Sequence, residues 1–185
     1  MKERGLAEEA DACNAAANLC IERGDPHGAC EHLSRALGLF RSSPDPKRQA
    51  ALLNNLGHVQ VSLRRLDDAA ESFTEAARLF EQVGDRTAAA WQMGNVGSVH
   101  RDREEHAAAL ESYGKALSIF EEQEDSMAIA DQSGNIGYIH AMTGDREAAL
   151  AWFRKAKVLY ESLGQERKAS LADRNIRILT SPGEP

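Results

Sequence analysis

The chain is poor in the residues that interrupt or staple a fold. Of its 185 residues only five are proline and three are cysteine, and aromatic side chains make up 5%. Few prolines leave long stretches free to run as helix, because proline breaks helix interiors. Cys13, Cys20 and Cys30 all lie near the start, and an odd number without a regular framework excludes a disulfide scaffold. No apolar run approaches the roughly 18 residues that a spanning helix needs. Met1-Lys2-Glu3-Arg4-Gly5 also lacks the apolar core of a secretory signal, so the expected location is the cytoplasm, away from membranes. Basic residues are outnumbered, 22 against 29 acidic ones for a net charge of −7, and they form no block. Phosphate binding needs a concentrated cationic face, so nucleic acid is excluded as an expected partner.

Chemistry-bearing motifs are equally scarce. His-Glu-x-x-His, Gly-x-Ser-x-Gly, a phosphate-binding glycine loop and paired Cys-x-x-Cys are all missing, so no enzyme, cofactor or metal is expected. His100-Arg101-Asp102 copies three letters of a kinase catalytic loop, but it falls inside a helical pattern without the other kinase motifs. Cys13 and Cys20, seven positions apart, share a helix face, with Cys30 on the next helix; their spacing matches no known zinc pattern, and free cysteine behaves as a small buried hydrophobe. His100 and His140 occupy equivalent places and read as structural imidazoles, since no carboxylate recurs with them in a catalytic arrangement.

What the chain has is self-similarity at a step of 40. Asn55-Leu56-Gly57 returns as Asn95-Val96-Gly97 and Asn135-Ile136-Gly137, while Ala69, Ala109 and Ala149 are each followed four residues later by Phe73, Tyr113 and Phe153. Such a period predicts a stack of helix pairs, each burying its apolar stripe on its neighbours. The expected fold is all-α: an α-solenoid of four helical hairpins, with repeats at 10–49, 50–89, 90–129 and 130–169, in a single array over 1–180. First helices are predicted near 6–23, 47–63, 87–103 and 127–143, and second helices near 27–41, 67–82, 107–122 and 147–162. A capping helix is predicted over 166–179, and Ser181-Pro182-Gly183-Glu184-Pro185 reads as a disordered tail. Breaks at Ser42-Ser43-Pro44-Asp45-Pro46, Gly84-Asp85, Glu124-Asp125 and Gly164-Gln165 recur at comparable offsets and predict tight turns. Mid-helix glycine costs roughly 1 kcal/mol, so Gly57, Gly97 and Gly137 imply close helix approach, with Ala69, Ala109 and Ala149 expected opposite them.

At these residues the chain resembles the tetratricopeptide-repeat family. Leu53, Leu56, Gly57, Ala69 and Phe73 carry its pattern, repeated by Met93, Val96, Gly97, Ala109 and Tyr113 and by Ser133, Ile136, Gly137, Ala149 and Phe153; the first repeat is degenerate. The step is about six residues longer than the family's usual 34, and the usual proline after the second helix is missing. Longer helices in phase are similar to the subgroup of kinesin light chains, Pins-type polarity adaptors and bacterial peptide-sensing regulators. The resemblance implies a right-handed superhelix and a non-enzymatic scaffold that binds a peptide or protein segment on its concave face. A peptide-sensing regulatory domain and a homodimerisation module are the alternatives.

If first helices line the inside, the expected binding residues are Asn54, Asn55 and His58, then Trp91, Asn95, Ser98 and Arg101. Asp131, Asn135, Tyr138 and, on the last helix, Arg174 complete the set. Amides both donate and accept hydrogen bonds to an extended backbone, and Trp91 and Tyr138 supply apolar anchors with polar tips. The ladder Asn55, Asn95, Asn135 either grips a ligand's backbone, as the resemblance implies, or ties adjacent repeats together. Asp11, Glu22, Asp102 and Asp131 lean toward a neutral or basic peptide. Leu171 and Ile178 leave apolar groups where a cap should be polar, and are the expected contacts of a homodimer.

Overall fold

The computed structural model describes residues 2–40 and 45–181, excepting the side chains of residues 2–4 and 7. Among the described residues there are nine helices and no strand. They are α1 (Lys2–Glu22), α2 (Pro26–Phe40), α3 (Pro46–Ser62), α4 (Leu66–Gln82), α5 (Arg86–Asp102), α6 (His106–Glu122), α7 (Ser126–Met142), α8 (Arg146–Ser162) and α9 (Glu166–Thr180). The expected bounds hold to about one residue except at α1, which begins at Lys2 rather than near residue 6, because a lone Gly5 is tolerated within a helix. The chain is all-α and of the solenoid class. The Ser42–Pro44 part of the first expected turn and residues 182–185 of the expected tail lie outside the described residues.

Contacts gather into two compact units, residues 1–103 and 104–185. In the first, α1 pairs with α2 and α3 with α4, α2 packs on α3, and α4 packs on α5. In the second, α7 pairs with α8, α6 packs on α7, and α9 packs on α8.

One turn recurs at seven joints, those from α1 to α2 and from α3 through to α9. Residues 24, 64, 84, 104, 124, 144 and 164 all adopt left-handed φ values, from 55° to 81°. At Gly84 the turn N–H reaches back to Glu81 (2.9 Å) and the following N–H, of Asp85, to the Phe80 carbonyl (2.9 Å), which satisfies carbonyls that a helix end leaves without partners. Asp85 then opens the next helix, its Oδ1 accepting from the Ala88 N–H at 3.1 Å. A single aspartate thus closes one helix with its backbone and caps the next with its side chain. Asp25, Asp125 and Asp145 do the same. Arg65, Glu105 and Gln165 hold the same position with no side-chain cap.

The recurrent small residues form the seams, though not in the pairing the pattern suggests. A Cβ on Gly57 would meet the Phe73 ring, with Cε1 at 2.6 Å, and one on Gly137 would meet the Phe153 ring at 3.0 Å; neither faces the alanine expected opposite it. Side chains on a helix lean toward its N-terminus, so the ring of residue 73 covers the turn that starts at Ala69 and claims the space over the glycine. The same ring packs against Val99 of the next first helix, together with Ala69. This contact repeats as Val59 against Ala29 and Leu33, and as Ile139 against Ala109 and Tyr113. Ala76 sits between Ala50 and Ala89, and Ala156 between Ala130 and Ala169, so the seams between repeats are built from alanine.

α9 closes its unit with charge. Asp173 stands in the column of Leu53, Met93 and Ser133, and Arg177 in the column of the three glycines. Asp173 accepts from Lys157 of α8 at 2.7 Å and pairs with Arg177 at 2.7 Å. The face that earlier first helices give to their second helix is here an ion-pair network.

Candidate functional site

The candidate residues fall in two groups, one in each unit. In the first unit the amides form a chain. Asn95 Nδ2 donates to Asn54 Oδ1 (3.4 Å) and to Gln92 Oε1 (3.3 Å), and Asn54 Nδ2 donates to Asn55 Oδ1 (3.3 Å). The bond from Asn95 to Asn54 joins α5 to α3, so the amides do tie two repeats. Gln92, which sequence reasoning passed over, is buried beneath them; its signal was an amide in the column filled by Leu52 in the preceding repeat. Asn55 also borders a pocket of about 140 Å³ shared with Asp11, Asn14, Phe40 and Arg48. There the Asn14 Oδ1 is buried and has no hydrogen-bond partner among the described residues.

His58 stands edge-on to Phe73, with ring centroids 5.1 Å apart, and partial burial holds its imidazole below the usual 6.5. Ser98 is turned back into its own helix, its Oγ donating to the Gly94 carbonyl at 3.2 Å. Trp91 is half-buried on α5. Arg101 is engaged with the neighbouring Asp102 at 2.8 Å.

In the second unit Asp131 is a tether. It accepts from the Tyr160 hydroxyl at 2.7 Å and from Lys168 of α9 at 2.6 Å. Burial, reinforced by that hydrogen bond, pushes the Tyr160 phenol well up. Asn135 is half-buried, and Asn175 of α9, half-buried one step of 40 further on, extends the ladder; the step itself was the signal for it. Tyr138 is 48% exposed on α7. Arg174 borders an open groove of about 700 Å³ between α8 and α9, lined also by Lys157, Glu161, Asp173 and Arg177. Leu171 and Ile178 are 58% and 63% exposed.

The acidic bias expected of the inner columns is offset. Asp11 faces Arg48 at 3.4 Å, Asp102 is met by Arg101 and Asp131 by Lys168, so three of the four carboxylates already have cations. Cys13 is buried in the first core, with Cys20 and Cys30 packed against it, and no cluster of three metal-ligating side chains occurs among the described residues. Among those residues no helix is long and apolar enough to cross a membrane.

Solved structures share this architecture. BtubC (BKLC) from P. vanneervenii superposes with a TM-score of 0.71 at 18% identity, over 97% of this chain and 85% of that one. The apo form of RapI gives 0.87 at 17% identity, over 96% and 65%. Aspartyl phosphate phosphatase F from Bacillus subtilis gives 0.86 at 15%, over 95% and 46%. The chain therefore spans about two thirds of RapI and under half of the phosphatase, and at these identities the likeness is one of fold. No curated protein matches by sequence. The model of the tetratricopeptide repeat matches residues 8–82 and 86–169, nearly the whole of the array, and the chain belongs to that family.

Proposed function

We propose that the chain is a non-catalytic scaffold that binds an extended segment of another protein along α3 and α5, reading the backbone through the amides of those two helices. The observation that carries this is the hydrogen-bonding state of the amide chain. Within it, the Asn55 amide nitrogen and the Asn95 carbonyl oxygen have no partner among the described residues, while the bonds they do make hold both side chains in place. A fixed donor beside a fixed acceptor is what a peptide group requires, and prior immobilisation reduces the ordering cost of docking. Amides neither take nor give protons near neutral pH, which favours recognition over catalysis.

Peptides selected from a random library tested by fluorescence anisotropy decide it. Asn55→Ala and Asn95→Ala each weaken binding by about tenfold, with melting temperatures that stay high enough for a folded array. Selected peptides that bind both variants as tightly as the parent would place recognition elsewhere.

A further inference from the structure

We propose that the partner segment read by α3 and α5 is an uncharged one, presenting no lysine, arginine, aspartate or glutamate to those helices. This rests on the scaffold reading above and names the class of partner it takes. Residues 49–62 of α3 and 87–100 of α5 contain no lysine, arginine, aspartate or glutamate, in a chain that is 28% charged. α4, which lies between them, carries Asp67, Asp68, Glu71, Glu75, Arg78 and Glu81. Burial does not account for the contrast. Ala51 and His58 are exposed, and Asn54, Asn55, Trp91 and Asn95 are half-buried. Nor do these helices stand at an end of the array, since α3 packs on α2 and on α4, and α5 on α4.

The formal charges of α3 and α5 sit in their end turns, where each is engaged. Lys47 lies 3.3 Å from Asp85, Arg48 3.4 Å from Asp11 and Arg101 2.8 Å from Asp102, and Arg86 also has an interaction. An uncharged centre inside a rim of closed ion pairs is the distribution found where one protein surface covers another. The polar groups of the centre are neutral as well. Ser62 and Ser98 turn their hydroxyls to the Val59 and Gly94 carbonyls, which leaves the Asn55 amide nitrogen and the Asn95 carbonyl oxygen to meet a partner. Partial burial holds the His58 imidazole below its usual range, so it is neutral near neutral pH. A charged side chain docked over this centre would lose its water without meeting a counter-ion, whereas a peptide group would not. Two adjacent helices present a face about 20 Å across, which about six extended residues span.

Fluorescence anisotropy on the whole chain, with labelled peptides selected from a random library, tests this. The Kd is expected to change less than about twofold between about 50 mM and 500 mM sodium chloride. Lys or Glu placed at a helix-facing position of the peptide, located by an alanine scan, weakens binding at least about tenfold, and Ala51→Lys in the scaffold recovers the Glu-bearing peptide but not the Lys-bearing one. Ala51 is exposed, so this replacement leaves the fold intact, which a circular dichroism melt verifies. Peptides that tolerate either charge at those positions, or that lose at least about tenfold in affinity over the salt range, overturn the inference. If Asn55→Ala and Asn95→Ala still weaken such peptides, the scaffold reading stands without it. Peptides indifferent to both asparagine variants overturn the scaffold reading and this inference together.

Discussion

At Gly57 a single methyl group would press on Phe73, a ring 1% exposed and held on its other side by Val99. Gly57→Ala is therefore expected to cost about 1–3 kcal/mol as overpacking, and Phe73→Leu in the same chain should recover part of that loss. Equal melting temperatures for Gly57→Ala and the parent would show that the ring has somewhere else to go. The step of 40 made the glycine and the aromatic visible in the sequence, but not that they meet, because a list of recurring residues does not say which way each side chain leans. His58 stands edge-on to the same aromatic. Its folded-state pKa is depressed by burial, so as pH falls the unfolded chain takes up the proton first and stability is lost from about pH 6.5 downward. Between about pH 7.5 and pH 5.5 the parent should lose more of its melting temperature than His58→Asn, which has no imidazole to charge. Parallel losses would assign the titration to other histidines.

Helices and turns respond separately. Glu124 holds with a side chain the left-handed position that glycine takes at 24, 84, 144 and 164. Glu124→Gly should relieve about 1–2 kcal/mol of strain and return somewhat less in chain entropy, a net gain of about 0.5 kcal/mol, whereas Gly84→Ala should lose stability. Gln165 opens α9 without a cap, so Gln165→Asp is expected to add about 1 kcal/mol, and Asp85→Ala to remove about as much. Thermal melts check all four, and a Gln165→Asp chain no more stable than its parent would mean that α9 is not limited by its N-terminus. Helix bounds were legible to about one residue because the apolar stripe and the Gly-Asp pairs mark them together. The break at Glu124-Asp125 was legible, but the left-handed bend at Arg64, Glu104 and Glu124 was not, since those positions carry no glycine and only the regular helix length on either side requires the bend. The amide ladder was legible as a column, while its bonds to Gln92 and Asn54 depend on rotamers that a column does not encode.

For the molecule as a whole, stability in a repeat array is close to a sum of nearest-neighbour terms. Within the first unit, α4 lies between α3 and α5, and the alanine seams and the Phe73 contact serve both sides. From α3 onward the same three-residue bend joins the helices of a pair and joins one pair to the next, so nothing in the backbone of those turns distinguishes an internal joint from an external one. The chain is accordingly extensible. Copying residues 46–85 in tandem places Asp85 before Pro46, the same cap-and-proline pair that Asp45 and Pro46 already make at the start of α3. Growth by whole modules then requires no invented loop, and such a lengthened variant is expected to melt higher than its parent by calorimetry. Insertions or deletions of any other length would leave a helix facing the wrong way.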